Sequence, residues 1–215
     1  WAIERRYLGA DITAHLVADR GPAAMRPYLE PAQWDTFLAH CRPAHRVRAG
    51  FILETGLRAG EALALRWDWV QGWGQRPSVR VAAEGPAGWR SKGRRVRAVP
   101  LTAGAQGWLA AAAERWGTDG YVLHQGARPL FTGRLLGPQH LACEQMGLAP
   151  HVDTHGLRRS AAVRWLSMGL PLDTISRLLG HSSVLVTEQS YAGLAPGHLA
   201  DAMALVERRA AQLGG

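Results

Sequence analysis

A mainly helical α+β fold carrying one small antiparallel β-hairpin is the architecture this sequence predicts, and three observations predict it. Apolar residues recur at helical spacing in block after block, separated by helix-start and helix-stop residues. Only two short stretches, 79–82 and 96–99, read as strands, and they flank a Gly- and Arg-rich segment suited to a hairpin loop. The 215 residues are 47% hydrophobic and 20% charged, a balance that supports a packed core of about one domain.

The elements follow in order. Residues 1–28 read as a linker or the remnant of an upstream domain; the chain opens on Trp1 rather than Met, as a fragment or processed chain would. Residues 32–41, after the helix-start Pro31, form a helix with Trp34, Phe37 and Leu38 inward. A second helix covers 45–55, buries Phe51, Ile52 and Leu53, and stops at Gly56. Arg58 then lies at a helix–helix junction, ahead of a short helix through Glu61 to Leu65. Residues 84–95 are the hairpin loop, and Lys92 sits in it. Thr102 caps a helix to about Trp116, 121–131 is extended or irregular, and a helix is expected near 138–146. Thr154 caps a helix to Met168 with His155 and Arg158 on its first turn. Pro171 starts a helix to Leu179 that Gly180 ends, with His181 beginning the following turn. A short helix carries Tyr191, and residues 197–212 form an amphipathic C-terminal helix with Leu199, Met203, Leu205 and Val206 as contacts.

The formal net charge is +8, which suits a polyanionic partner, DNA being the commonest, although charge alone does not single it out. Of the 25 basic residues, Lys92 is the sole lysine. In a chain so biased towards arginine, a surviving lysine either marks a place where arginine does not serve, a proton-donating site being one such place because lysine can give up its proton and arginine does not, or is a chance survivor. Cys41 and Cys143 have no spacing that implies a zinc site or a disulfide framework. No signal peptide opens the chain and no apolar run is long enough to cross a membrane, so a cytoplasmic protein with no membrane partner is expected.

Four boxes carry chemistry. Residues 55–67 (Thr-Gly-Leu-Arg-Ala-Gly-Glu-Ala-Leu-Ala-Leu-Arg-Trp) hold Arg58, whose guanidinium fork can grip a phosphate oxygen, and Glu61 one helical turn later, placed to orient it. Residues 91–101 (Ser-Lys-Gly-Arg-Arg-Val-Arg-Ala-Val-Pro-Leu) hold Lys92 followed by Arg94 and Arg95. Residues 153–159 (Asp-Thr-His-Gly-Leu-Arg-Arg) put His155 and Arg158 three apart on one face of a helix N-terminus, where anions are favoured. His151 is a rival histidine without an arginine three residues on, and Arg159 reads as a DNA-backbone or structural contact. Residues 178–183 (Leu-Leu-Gly-His-Ser-Ser) present His181, and Tyr191 is the only tyrosine after residue 121. A phenol has a pKa of about 10, so it needs surrounding cations and proton acceptors to act as a nucleophile.

Taken in this order, the boxes resemble the catalytic domain of the tyrosine recombinases, the phage integrase family, over roughly residues 30–200. The resemblance implies that family's fold and a catalytic domain over 29–196, followed by a C-terminal segment, 197–215, that packs on a neighbouring subunit. It implies Tyr191 as nucleophile, Arg58 and Arg158 as phosphate clamps, His181 as a hydrogen-bond donor to the phosphate, His155 in proton transfer, Lys92 as the acid for the leaving 5′ oxygen, and Glu61 in support. Arg94, Arg95 and Arg159 are the DNA-binding candidates. The expected reaction is site-specific recombination through a 3′-phosphotyrosyl link, without metal or cofactor, by a homotetramer on double-stranded DNA, with accessory DNA-bending proteins as further candidate partners. One departure stands: Tyr191 follows His181 by ten residues where the family pattern has nine. Two alternatives remain open: a type IB topoisomerase-like relaxation, and a non-catalytic regulator in which 171–190 is a helix-turn-helix.

Overall fold

The computed structural model describes residues 26–72, 76–91, 96–126, 128 and 130–181. Lys92, Arg94, Arg95 and Tyr191, together with the expected 197–212 helix, lie outside the described residues. Seven α-helices appear among the described residues: α1 (Trp34–His40), α2 (Pro43–Thr55), α3 (Ala59–Leu63), α4 (Ala103–Trp116), α5 (Gly133–Gln145), α6 (Thr154–Ser167) and α7 (Leu172–Leu179). Three strands, β1 (Val70–Gln71), β2 (Ser78–Val81) and β3 (Arg97–Pro100), form one antiparallel sheet in the order β1-β2-β3. The mainly helical α+β expectation therefore holds.

Helix α2 is the centre of the molecule. It begins at Pro43, whose fixed φ suits a first helical position, and ends at Gly56, whose φ of 60° is the left-handed geometry that glycine adopts without strain. It packs on α1, α3, α4, α5 and α6, and buries residues around much of its circumference, among them Val47, Phe51, Ile52 and Leu53. Its approach to α4 is close because Gly50 lies beneath the Trp108 indole, where any β-carbon would collide. The sheet extends this core: Val79 and Val99 are cross-strand partners and both are buried. A second apolar cluster, of Ala162, Val163, Ile175 and Leu179, joins α6 to α7.

Several boundaries differ from expectation. Helix α5 starts at Gly133 rather than near 138, so Pro138 lies inside it. That proline deprives only the Arg134 carbonyl of its helical donor, and Arg134 is exposed in the first turn, where the loss is least costly. Asp153, not Thr154, caps α6: its carboxylate accepts from the Gly156 N–H at 2.6 Å. Pro27 and Tyr28, expected in the linker, already belong to the packed unit. The Pro27 carbonyl accepts from Arg159, and the neighbouring Leu29 N–H donates to Ser160 Oγ at 2.8 Å. Strand β1 is too short to register as periodicity. The described part of the hairpin loop, 84–91, is itself folded: Glu84 bridges to Arg90, and the Ser91 N–H donates to the Ala83 carbonyl at 2.8 Å. No described helix is long and apolar enough to cross a membrane.

His45 on α2 is 3% exposed, and neither ring nitrogen meets a protein hydrogen-bond partner. Burial, aided by the Arg48 charge, pushes its pKa down from 6.5 to about 4. A lowered folded-state pKa means that the unfolded chain takes up the proton first. The associated stability is complete above about pH 6.5 and drains away as pH falls towards 4. We expect the His45→Leu variant to lose about 2 kcal/mol less stability than wild type between pH 7.5 and pH 5. Urea unfolding at the two pH values tests this, and parallel losses in the two proteins would remove His45 from the account.

Candidate active site

The last turn of α7 organises the site. A helix C-terminus leaves its final carbonyls without intrahelical donors and carries a partial negative charge. Here those of Leu178, Leu179 and Gly180 are each taken by a different arginine. Arg97 Nε donates to the Leu178 carbonyl (3.3 Å), an Arg158 terminal nitrogen to Leu179 (2.7 Å), and an Arg58 terminal nitrogen to Gly180 (3.3 Å). The other terminal nitrogen of Arg158 reaches the Gly56 carbonyl at the end of α2, at 2.7 Å. Arg158, 2% exposed, thus holds two helix C-termini together.

Each arginine is delivered by a different local rule. Arg58 is the residue before α3, and the Glu61 carboxylate fixes it at two points. Its N–H donates to one Glu61 carboxylate oxygen and its guanidinium to the other, both at 3.0 Å. Arg158 lies one turn into α6, and His155 is held at the helix start by the Asp153 cap. Gly156, between them, is closely packed: an added β-carbon would lie 2.8 Å from the Pro27 carbonyl. Gly180 has φ of 70°, and the following His181 N–H returns to the Ser176 carbonyl at 3.0 Å, which fixes the direction in which His181 leaves the helix.

Arg97 is the functional-site residue that the boxes do not single out. It forms a two-pronged ion pair with Glu61, at 2.7 and 3.0 Å, so one carboxylate serves two guanidiniums. The available signal was alternation. Arg97 stands two residues before the buried Val99 and opposite the buried Val81, hence on the core face of β3, where a cation requires a carboxylate.

Burial pushes the Glu61 carboxyl upward, but the Arg97 hydrogen bonds and charge, joined by Arg58, prevail and hold it below the usual carboxylate range. His181, half-buried, is pushed down to about 4 by burial and then by Arg158, Arg58, His155 and Arg97. His155, on the exposed side, is also lowered, by desolvation and then by Arg158 and Arg159, against an opposing pull from Asp153. Both shifts favour the neutral imidazole at pH 7, beside Arg58, Arg97 and Arg158, each of which donates to at least one uncharged carbonyl. The cluster retains positive charge, and its neutral imidazoles are able to accept protons. Arg159, 9% exposed, packs on the Pro27 carbonyl and stands 3.6 Å from Asp153, which is the structural contact left open for it. His151 instead tilts against His140, ring centroids 5.1 Å apart. Among the described residues, no three His, Cys, Asp or Glu side chains gather in a way that would hold a metal ion.

Known proteins share this architecture. The XerH site-specific recombinase bound to palindromic difH substrate superposes with a TM-score of 0.63 at 21% identity, over 85% of this chain and 54% of that one. A lambda integrase (75–356) dimer bound to a COC′ core site gives 0.65 at 20% identity, over 86% and 68%. The fold is that of tyrosine recombinase catalytic domains. The phage integrase family model matches residues 27–198, and the chain belongs to that family. Tyrosine recombinase XerC of Mycobacterium bovis (BCG Pasteur 1173P2) is 30% identical over 223 residues, covering 93% of this chain and 69% of the relative. XerC of Brucella suis biovar 1 is 35% identical over 148 residues, covering 65% and 42%. XerC of Chlamydia pneumoniae is 30% identical over 107 residues, and the chain spans only 34% of that protein's length.

Gly180 offers a direct check on the packing. A β-carbon there would meet the Arg97 guanidinium at 2.8–2.9 Å, in addition to its backbone strain, whereas Gly120, with φ of 75°, has open space around it. We expect Gly180→Ala to destabilise by about 2–3 kcal/mol and Gly120→Ala by about 1 kcal/mol. Equal losses in urea denaturation would show that the Arg97 contact does not constrain residue 180.

Proposed function

We propose that this chain is the catalytic part of a site-specific DNA recombinase that works through a 3′-phosphotyrosyl intermediate. The observation that carries this reading is the convergence of Arg58, Arg158 and His181 on the end of α7, in a chain of the phage integrase family. The Tyr191 oxygen attacks the scissile phosphorus and gives up its proton, with neutral His155 as the candidate acceptor. The bond from phosphorus to the 5′ oxygen breaks, and Lys92 supplies the proton that turns the leaving oxygen into a hydroxyl. A 5′ hydroxyl from a partner duplex then attacks the phosphotyrosine and gives its proton to the now neutral Lys92, while the bond from phosphorus to the Tyr191 oxygen breaks and His155 returns a proton to that oxygen. Phosphodiester energy is kept in the covalent link, so strand joining requires no separate energy source. Arg58 and Arg158 hold the charge that accumulates on the phosphoryl oxygens, and His181 donates a hydrogen bond to one of them.

The same reading assigns residues 29–196 as the catalytic domain and 197–215 as a segment that packs on a neighbouring copy in a tetramer on double-stranded DNA, in the cytoplasm. Arg94 and Arg95 are its DNA-backbone contacts. The alternative of relaxation by rejoining the same strand shares the covalent step and differs only in the product.

The test is covalent trapping. The full-length protein is mixed with supercoiled plasmid carrying the DNA that flanks its gene, quenched with SDS, and assayed for protein retained on DNA. Wild type should form an adduct and Tyr191→Phe none, while Arg58→Ala should slow its formation on the order of 10²-fold. Tight binding of that DNA by both wild type and Tyr191→Phe, with no adduct from either, would replace the recombinase reading with that of a DNA-binding regulator. Products in which strands are exchanged between duplexes separate recombination from relaxation.

A further inference from the structure

The pair of guanidiniums on one carboxylate poses an electrostatic problem that the clamp assignment alone leaves unanswered. Glu61 is 2% exposed at its side chain, and an ionised carboxylate at that depth holds its nearest cation strongly. If Arg58 were its only partner, the pair would be neutral, and a phosphate would have to compete with Glu61 for the same guanidinium. The structure contains a second cation instead. Arg97 engages both Glu61 oxygens, at 2.7 and 3.0 Å, while Arg58 shares one of them at 3.0 Å. Exposure orders the three. The Arg97 side chain is 14% exposed, Glu61 2% and Arg58 23%, so Arg97 forms the inner end and Arg58 the outer end, where a phosphate can arrive. The nitrogens of Arg97 are committed to the protein, two on Glu61 and Nε on the Leu178 carbonyl, which leaves it poorly placed to grip substrate itself.

We propose that Arg97 is a positioning residue that supplies the counter-charge for Glu61, so that Glu61 orients Arg58 without neutralising it. The inference rests on the reading of Arg58 as a phosphate clamp. Two guanidiniums and one carboxylate sum to one positive charge, and that charge stays with the outer arginine. Arg97 also joins β3, the strand that follows the Lys92 loop, to the end of α7 from which His181 emerges.

The experiment measures the rate of covalent adduct formation on the same supercoiled plasmid, with Tyr191→Phe as the blank. Arg97→Met removes the counter-charge and should slow the reaction on the order of tenfold or more. Arg97→Lys keeps the charge and should remain within about threefold of wild type. The decisive comparison is the double variant Glu61→Gln/Arg97→Met. With the carboxylate charge gone the counter-charge is no longer needed, so the double variant should react several-fold faster than Arg97→Met alone. A residue that merely braced the fold would give a double variant no faster than the single one. Cooperative thermal unfolding is verified for each protein, and if Arg97→Met fails to fold, Arg97→Gln replaces it in both single and double variants. A double variant as slow as the single, or Arg97→Lys as slow as Arg97→Met, overturns the proposal while leaving the recombinase reading intact. Absence of a Tyr191-dependent adduct in wild type overturns the recombinase reading, and this inference with it.

Discussion

Three main-chain carbonyls at the end of α7 are the constraint on which the site depends. They are hydrogen-bond acceptors that carry no net charge, so they fix guanidiniums in place while leaving their positive charge available. Arg158 donates in this way to the Leu179 and Gly56 carbonyls. Glu61 is the exception, and its charge is offset twice.

The rest of the fold brings these groups together. Helix α2 supplies the Gly56 carbonyl at its end and, by packing on α4, α5 and α6, sets where α6 begins. Helix α6 carries Arg158 inward and leaves His155 on the exposed side of the same turn. The cluster of Ile175 and Leu179 against Ala162 and Val163 pins α7, so its C-terminus meets the arginines from three other segments. The cations act back on the imidazoles: burial together with Arg158 and Arg58 lowers His181, and His155 is lowered likewise. An anion placed among these groups would oppose that depression.

Much of the helical frame was legible from local rules. Gly56 ends α2, Thr102 caps α4, and Gly180 ends α7, because side-chain caps and left-handed glycine act within a few residues, whereas α2 starts at Pro43, two residues before the expected 45. The hairpin was legible from alternation, and it pairs Val79 with Val99. Boundaries slipped where two local signals competed. Asp153 and Thr154 are both good caps, and Pro138 looks like a helix start although an exposed first turn tolerates it inside α5. The Glu61 role in orienting Arg58 was readable from a three-residue spacing. Its second partner was not, since Arg97 is thirty-six positions away and reaches it only through the sheet.

By itself the sequence determined the identity and order of the chemical groups: Arg58, the single lysine, the His155–Arg158 pair, His181 and Tyr191, and with them the family. Those follow from residue type and short spacing, which folding does not alter. Tertiary structure decided what each described cation is bonded to. The assignment of Leu178, Leu179 and Gly180 to Arg97, Arg158 and Arg58 depends on four segments meeting at one point. The same is true of the burial of Arg158 and Arg97 and of the neutral state of the histidines. Electrostatics is set by distance and desolvation, and neither is written along the chain.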